Sequence, residues 1–363
     1  MDTNTNLLVN ITSGFWKSEQ SSIPFREGST PSNLATKNLQ ATLVGDVLNE
    51  LRNQYRAFVL PFVIIIGCLG NVVILAVCIL HTAAVAHSTR FYYIILAISD
   101  VISLLSYHLD QFLSKGIETL SNGKLRIDTD TGSDFLCGGN RYVFYLSETL
   151  GNYFYLLFTI ERIFAIRFPF TLQKYFSREK TILIILILVI FHGFAYLILF
   201  WTFGLVKEGK LVRCITSNDR LVRNAIYEAF IVPNSHFIPI IANSIFNVIL
   251  INYIRTAIDK RTELMEQATV TEQQKAKELS ITNTIAVVQI IHFVNYFPSG
   301  FLWLIRAIME VTYLDESTPD TYEAFYNGSR LTLSLTSIGH GVNIFIYIVK
   351  IPTFRKFISL HIS

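Results

Sequence analysis

Residues 137–169 read CGGNRYVFYLSETLGNYFYLLFTIERIFAIRFP. From Tyr142 to Phe158 the stretch carries one acid, Glu148, and no base. It then meets Glu161-Arg162, and basic residues become frequent, with five between Arg162 and Lys180. Cys137 and Arg162 are 25 positions apart. At the rise of an α-helix that is roughly 38 Å, slightly more than a tilted membrane crossing needs. One helix can therefore hold Cys137 at one water interface and Glu161-Arg162 at the other, and the rest of the chain reads as packing around it.

Composition agrees with a membrane setting. The 363 residues are 51% hydrophobic and only 16% charged, with a mean hydropathy of +0.43. A soluble domain of this length carries more charge. A net charge of +3, with no Gly-rich phosphate loop and no basic patch among stacking aromatics, points away from nucleic acid. The opening MDTNTNLLVNITSGFW lacks the basic segment and apolar core of a cleaved signal peptide, so the first span is expected to insert uncleaved.

Residues 1–56 are polar and rich in Asn, Ser and Thr, and read as a flexible tail. Seven apolar blocks follow: Ala57–Leu80, Phe91–Leu113, Tyr142–Ile166, Thr181–Phe203, Ala225–Ile254, Leu279–Met309 and Leu331–Val349. In lipid each must be a helix, because only a helix satisfies its backbone within one segment. The expected fold is all-α, an integral membrane bundle of seven transmembrane helices over 57–349. An odd number of spans puts the two ends on opposite sides. Two glycosylation sequons, at Asn10 and at Asn327 in the loop before the seventh block, fall on one side in this scheme and set it outside. The C-terminus is then inside. The inner loop Arg255–Glu278 mixes charges of both signs, and helices five and six are expected to extend into it. In 350–363, Ile351, Phe354, Phe357 and Ile358 share one helical face beside Lys350, Arg355 and Lys356, which predicts a short amphipathic eighth helix on the bilayer surface. Cys68 and Cys78 lie inside the first block as packing residues. Cys137 and Cys214 lie at block edges and are candidates for one disulfide if both face an oxidising compartment.

Polar groups at membrane depth are costly, so they mark function. Asp100, Asn71 and Asn343 sit mid-depth in blocks two, one and seven, and could form one network; the plainer reading is a satisfied structural cluster. Glu161-Arg162 on spacing alone is an ordinary interfacial pair. Pro239 and Pro298 lie inside blocks five and six, where proline kinks a helix and frees a carbonyl.

Taken in order, these residues resemble the rhodopsin-like G-protein-coupled receptors, and among them the invertebrate neuropeptide receptors. The resemblance runs from Ala57 to about Leu360. It is carried by Gly70-Asn71, by L-A-x-x-D ending at Asp100, and by Cys137 with Cys214 in the second outer loop. Further carriers are Glu161-Arg162 in place of Asp/Glu-Arg-Tyr, Pro239, Pro298, and Asn343-Ile344-Phe345-Ile346-Tyr347 in place of N-P-x-x-Y. Ile163, Ile344, Tyr296, His292, Asn152 and Asn247 depart from the family pattern. Gly151 and Gly339 stand where sodium-binding members have polar ligands, so no metal is expected at Asp100, although His340 lies close by.

The resemblance implies a Cys137–Cys214 disulfide and a switch of Glu161, Arg162, Glu278, Asp100, Asn71, Asn343, Tyr347 and Pro298. Glu278 lies 20 residues before Pro298. That is about 30 Å down a helix, level with Arg162. A ligand pocket would open outward around Glu148, Asp110, Phe144, Tyr145, Gln111, Tyr296 and Trp303, with His108 and Asn295 as neighbours. Phe144 and Ser337 stand where amine receptors have their Asp and opsins their Lys, which argues against both ligands. Glu148 and Asp110 among aromatics suit a ligand cation such as a peptide arginine, unless Glu148 pairs within the protein. The second outer loop is itself basic. Implied partners are an extracellular peptide or small ligand, a heterotrimeric G protein and the bilayer, at the plasma membrane and with no cofactor.

Other classes are less well supported. Ser299 has no G-x-S-x-G context, no G-x-G-D occurs, and the histidines show no H-E-x-x-H spacing, so no enzyme is expected. A transporter would show internal repeats, and a ligand-gated channel has no need of Glu161-Arg162. Within the receptor class, a chemosensory role for a small molecule is the alternative to a neuropeptide.

Overall fold

The computed structural model describes residues 31–80, 87–168, 172, 174–208, 211–216, 230–231, 233–264, 284, 286–305, 319–350, 354–355 and 359. Seven long helices occur among them: α1 (31–80), α2 (87–120), α3 (Asp134–Arg167), α4 (Arg178–Thr202), α5 (233–264), α6 (Ala286–Ile305) and α7 (Pro319–Lys350). A hairpin of β1 (Phe203–Glu208) and β2 (Leu211–Thr216) follows α4, in antiparallel register with Leu205 opposite Cys214.

Six of these helices are long and apolar enough to cross a membrane. α3 is the polar one, and it sits among the others. Its Ser147, Glu148, Thr149 and Asn152 are all buried, as are Glu161 and Arg162. Large apolar side chains face outward instead, among them Phe62, Leu69 and Val72 on α1 and Leu183, Ile187 and Phe194 on α4. Polar groups inside and an apolar coat outside are the pattern for a lipid solvent, in which bare polar groups are costly. The chain is a multi-pass membrane protein.

Caps and small residues fix the long helices. Ser133 Oγ accepts from Leu136 N at 3.1 Å and starts α3, and Ser177 does the same for α4. A Cβ on Gly67 would lie 3.1 Å from Gly341 Cα, and one on Gly138 would lie 2.8 Å from Phe200 Cα. Glycine at these points lets α1 meet α7, and α3 meet α4, backbone to backbone.

Two expectations are corrected. The tail does not stay irregular to residue 56, because α1 is helical from Pro31. Its added turns lie against an extended α7, with Gly45 beside Ala324. The sequence shows no strong periodicity there because the segment is polar, with little contrast between its faces. Asn327, expected in a loop, lies within α7. It is buried, and its Nδ2 donates to Gly45 O at 3.3 Å. A glycan cannot be carried on a nitrogen enclosed between two helices. Asn10, Glu278, most of the inner loop and most of 350–363 lie outside the described residues. α5 does continue past Ile254 to Leu264.

Gly138→Ala should destabilise the purified protein by about 1–3 kcal/mol, because the new methyl meets backbone that cannot rotate away. Gly139→Ala, whose Cβ would meet only the Phe200 ring at 3.5 Å, should be nearly neutral. Thermal unfolding of both variants in detergent checks the contrast.

Candidate functional site

The inner face of α2 is set by an irregularity. From Leu104 to His108 the helix widens into a π turn, which takes up one residue more than an α turn. Ser103 and His108 are five apart, yet both are fully buried; in an unbroken α-helix, neighbours on one face are three or four apart. Asp100 lies one turn before Ser103 and is also buried.

His340 of α7 joins these groups. Its Nδ1 lies 2.8 Å from Asp100 Oδ1 and its Nε2 2.7 Å from Glu148 Oε1, so each ring nitrogen shares a hydrogen bond with a carboxyl group. Ser103 Oγ donates to the same Glu148 oxygen at 2.5 Å, and the Tyr296 hydroxyl lies 2.7 Å from Nε2. Asn343 Nδ2 donates to Asp100 Oδ2 at 2.9 Å and to the Tyr155 hydroxyl at 3.0 Å. Asn71 does not reach Asp100; its Nδ2 donates to Gly67 O and to His340 O. The mid-depth network thus gathers around a histidine, with α1, α2, α3, α6 and α7 all contributing.

A second group forms around Pro239. Proline lacks the N–H that would bond residue i−4, here Ser235, and Asn152 Nδ2 donates to that carbonyl at 2.7 Å. Asn152 Oδ1 meets His292 Nε2 at 2.7 Å, and Asn243 Nδ2 donates to Asn152 O at 3.2 Å. One asparagine of α3 therefore ties α5 and α6 together. Pro298 on α6 faces outward.

At the far end of α3, Arg162 Nη2 donates to Glu161 Oε1 at 3.0 Å, and its guanidinium lies over the Phe158 ring at 5.4 Å. Both charges are buried. Tyr347 lies in the same cluster, 4.8 Å from the Tyr93 ring and 5.5 Å from Phe354. Phe354 is itself fully buried.

At the opposite end Cys137 and Cys214 form a disulfide, which ties α3 to β2. Leu205 N–H donates to Asp134 Oδ1 at 2.7 Å and holds β1 to the start of α3. Arg141 pairs with Asp130 at 3.1 Å, and burial pushes the Asp130 carboxyl up, against the pull of Arg141. Phe144 stacks on Tyr107 at 4.2 Å and meets Tyr145 edge-on. Tyr145 and Trp303 pack on the cluster around Cys137, and Gln111 is half-buried on α2.

The expected cation site of Glu148 and Asp110 is corrected. Glu148 is engaged by Ser103 and His340, an intramembrane base. Asp110 accepts from the Thr129 hydroxyl and lines a separate cleft between α2 and α3, with Ser106 and Asn140. The inner surface near this end is basic instead. Arg56 is 4% exposed and its Nε has no partner, and Arg52 and Arg330 are electrostatic neighbours. Sequence reasoning missed Ser103, Tyr155 and Arg56, and no local pattern distinguishes them.

A family model described as 7 transmembrane receptor (rhodopsin family) matches residues 70–347, well over half of the chain. This chain is a rhodopsin-family receptor. No curated protein matches it significantly in sequence. The receptor's core holds the His340 and Asn152 networks.

Removing the base should cost more than removing the whole group. His340→Ala leaves two carboxylates buried together and should lower the receptor's stability by about 3–5 kcal/mol. Adding Asp100→Asn and Glu148→Gln should restore part of that loss in thermal unfolding. Cys214→Ser should cost about 2–5 kcal/mol, read as lower surface expression and a lower Tm.

Proposed function

We propose that this receptor lies in the plasma membrane with its N-terminus outside, binds an extracellular neuropeptide, and activates heterotrimeric G proteins at the Arg162 end. The hairpin at the Cys137 end is the observation that favours a peptide. Among the described residues its strands pair only with each other. β1 is docked on α3 and β2 is tied to it through Cys214; an extended peptide would pair with the outer edge of β2 through its main chain. Arg56 and Arg52 on the inner surface suit an acidic group of that peptide, in place of the basic one expected from Glu148.

Ligand binding would shift a two-state bundle toward a form with α6 swung outward. Arg162, held by Glu161, is the proposed switch, and Glu278 is its proposed second partner. Arg162→Ala should abolish signalling and leave ligand binding intact, while Glu278→Ala should raise ligand-free signalling at matched surface expression.

Screening a peptide library on expressing cells, with calcium and cyclic-nucleotide readouts, tests the ligand class. A peptide agonist whose potency falls at least tenfold in Arg56→Gln supports the proposal. Activation by small odorant-like molecules alone would favour a chemosensory receptor.

A further inference from the structure

We propose that His108, Glu148 and His340 form a binding site for one divalent transition ion of the zinc class. One ligand atom from each residue can be chosen so that all three lie within 4.8 Å of one another. Ligands at zinc bond lengths sit about 3.3 Å apart in a tetrahedron, so the set closes by at most about 1.5 Å on binding. Two imidazoles and a carboxylate are a zinc donor set with a fourth position left for water. Alkali cations do not favour imidazole, so this is not a sodium site at Asp100.

Three observations point to a ligand here. His108 is fully buried, and neither of its ring nitrogens has a hydrogen-bond partner. A buried polar group without a partner is costly. Glu148 Oε2 is likewise buried with no partner. The third is charge: Asp100 and Glu148 bring two carboxyl groups to membrane depth beside His340, and a bound cation offsets them.

Asp100 has the supporting role. Zinc-binding histidines commonly donate their other N–H to a carboxylate, which fixes the tautomer. His340 Nδ1–H already donates to Asp100 Oδ1, leaving Nε2 for the metal. The ion would join α2, α3 and α7 at mid-depth and favour whichever receptor state holds them closest. This site stands independently of the ligand reading, since its assays need neither agonist nor G protein.

The test uses the purified full-length receptor in detergent with zinc chloride as the probe. Wild type should retain one zinc per receptor by elemental analysis after gel filtration, and zinc should raise its Tm. Cobalt should give the visible absorption of a four-coordinate site. His108→Asn, close in size, and Glu148→Gln should each weaken binding at least tenfold, and Asp100→Asn should weaken it less. Wild type that retains no zinc overturns the proposal. So does zinc bound by His108→Asn and Glu148→Gln as tightly as by wild type, which would mean an adventitious surface ion only. Should one variant fail to fold, the other decides.

Discussion

The His340 ring between Asp100 and Glu148 is the contact on which the bundle interior depends. Two carboxylates at membrane depth repel each other and lose their hydration, and neither is tolerable there alone. A single imidazole ring hydrogen-bonded to both answers the two problems at once. Because the three residues come from α7, α2 and α3, the packing of those helices and the neutralisation of their charges are one event. Asn343, Ser103 and Tyr296 extend the arrangement to the remaining donors and acceptors. Hydrogen-bonded networks of this kind have few alternative arrangements, which suits a molecule that must occupy discrete states.

Irregular backbone makes this possible. The π turn at Leu104–His108 rotates the outer part of α2, so that Ser103 and His108 both look inward. On α5, Pro239 leaves the Ser235 carbonyl without its helical donor, and Asn152 takes the place of that donor. On α5 the departure from α-helical geometry is compensated by a polar side chain of α3.

The two ends of α3 differ in kind. At one end a disulfide, a hairpin strand and the Arg141–Asp130 pair hold surface structure to the helix. At the other, a buried arginine is held by the carboxylate of the adjacent residue and by an aromatic face. Covalent and backbone bonds suit a fixed recognition surface. A pair of side chains is easier to rearrange, which suits a switch.

The sequence by itself determined the seven helices, their order and the central place of Tyr142–Ile166, because block length and the scarcity of charge follow directly from bilayer thickness. It also located Asp100, Glu148 and Arg162, since charge at membrane depth is conspicuous in a one-dimensional reading. It did not reveal the helix from Pro31 or the burial of Asn327, because both follow from packing between segments far apart in the chain. Nor did it show that Glu148 is occupied. Helical periodicity assumes 3.6 residues per turn, and a π turn breaks that count without any sequence mark. Which acid meets which base across three helices depended on backbone register and on direct contact between α2, α3 and α7, and only the tertiary structure decided those.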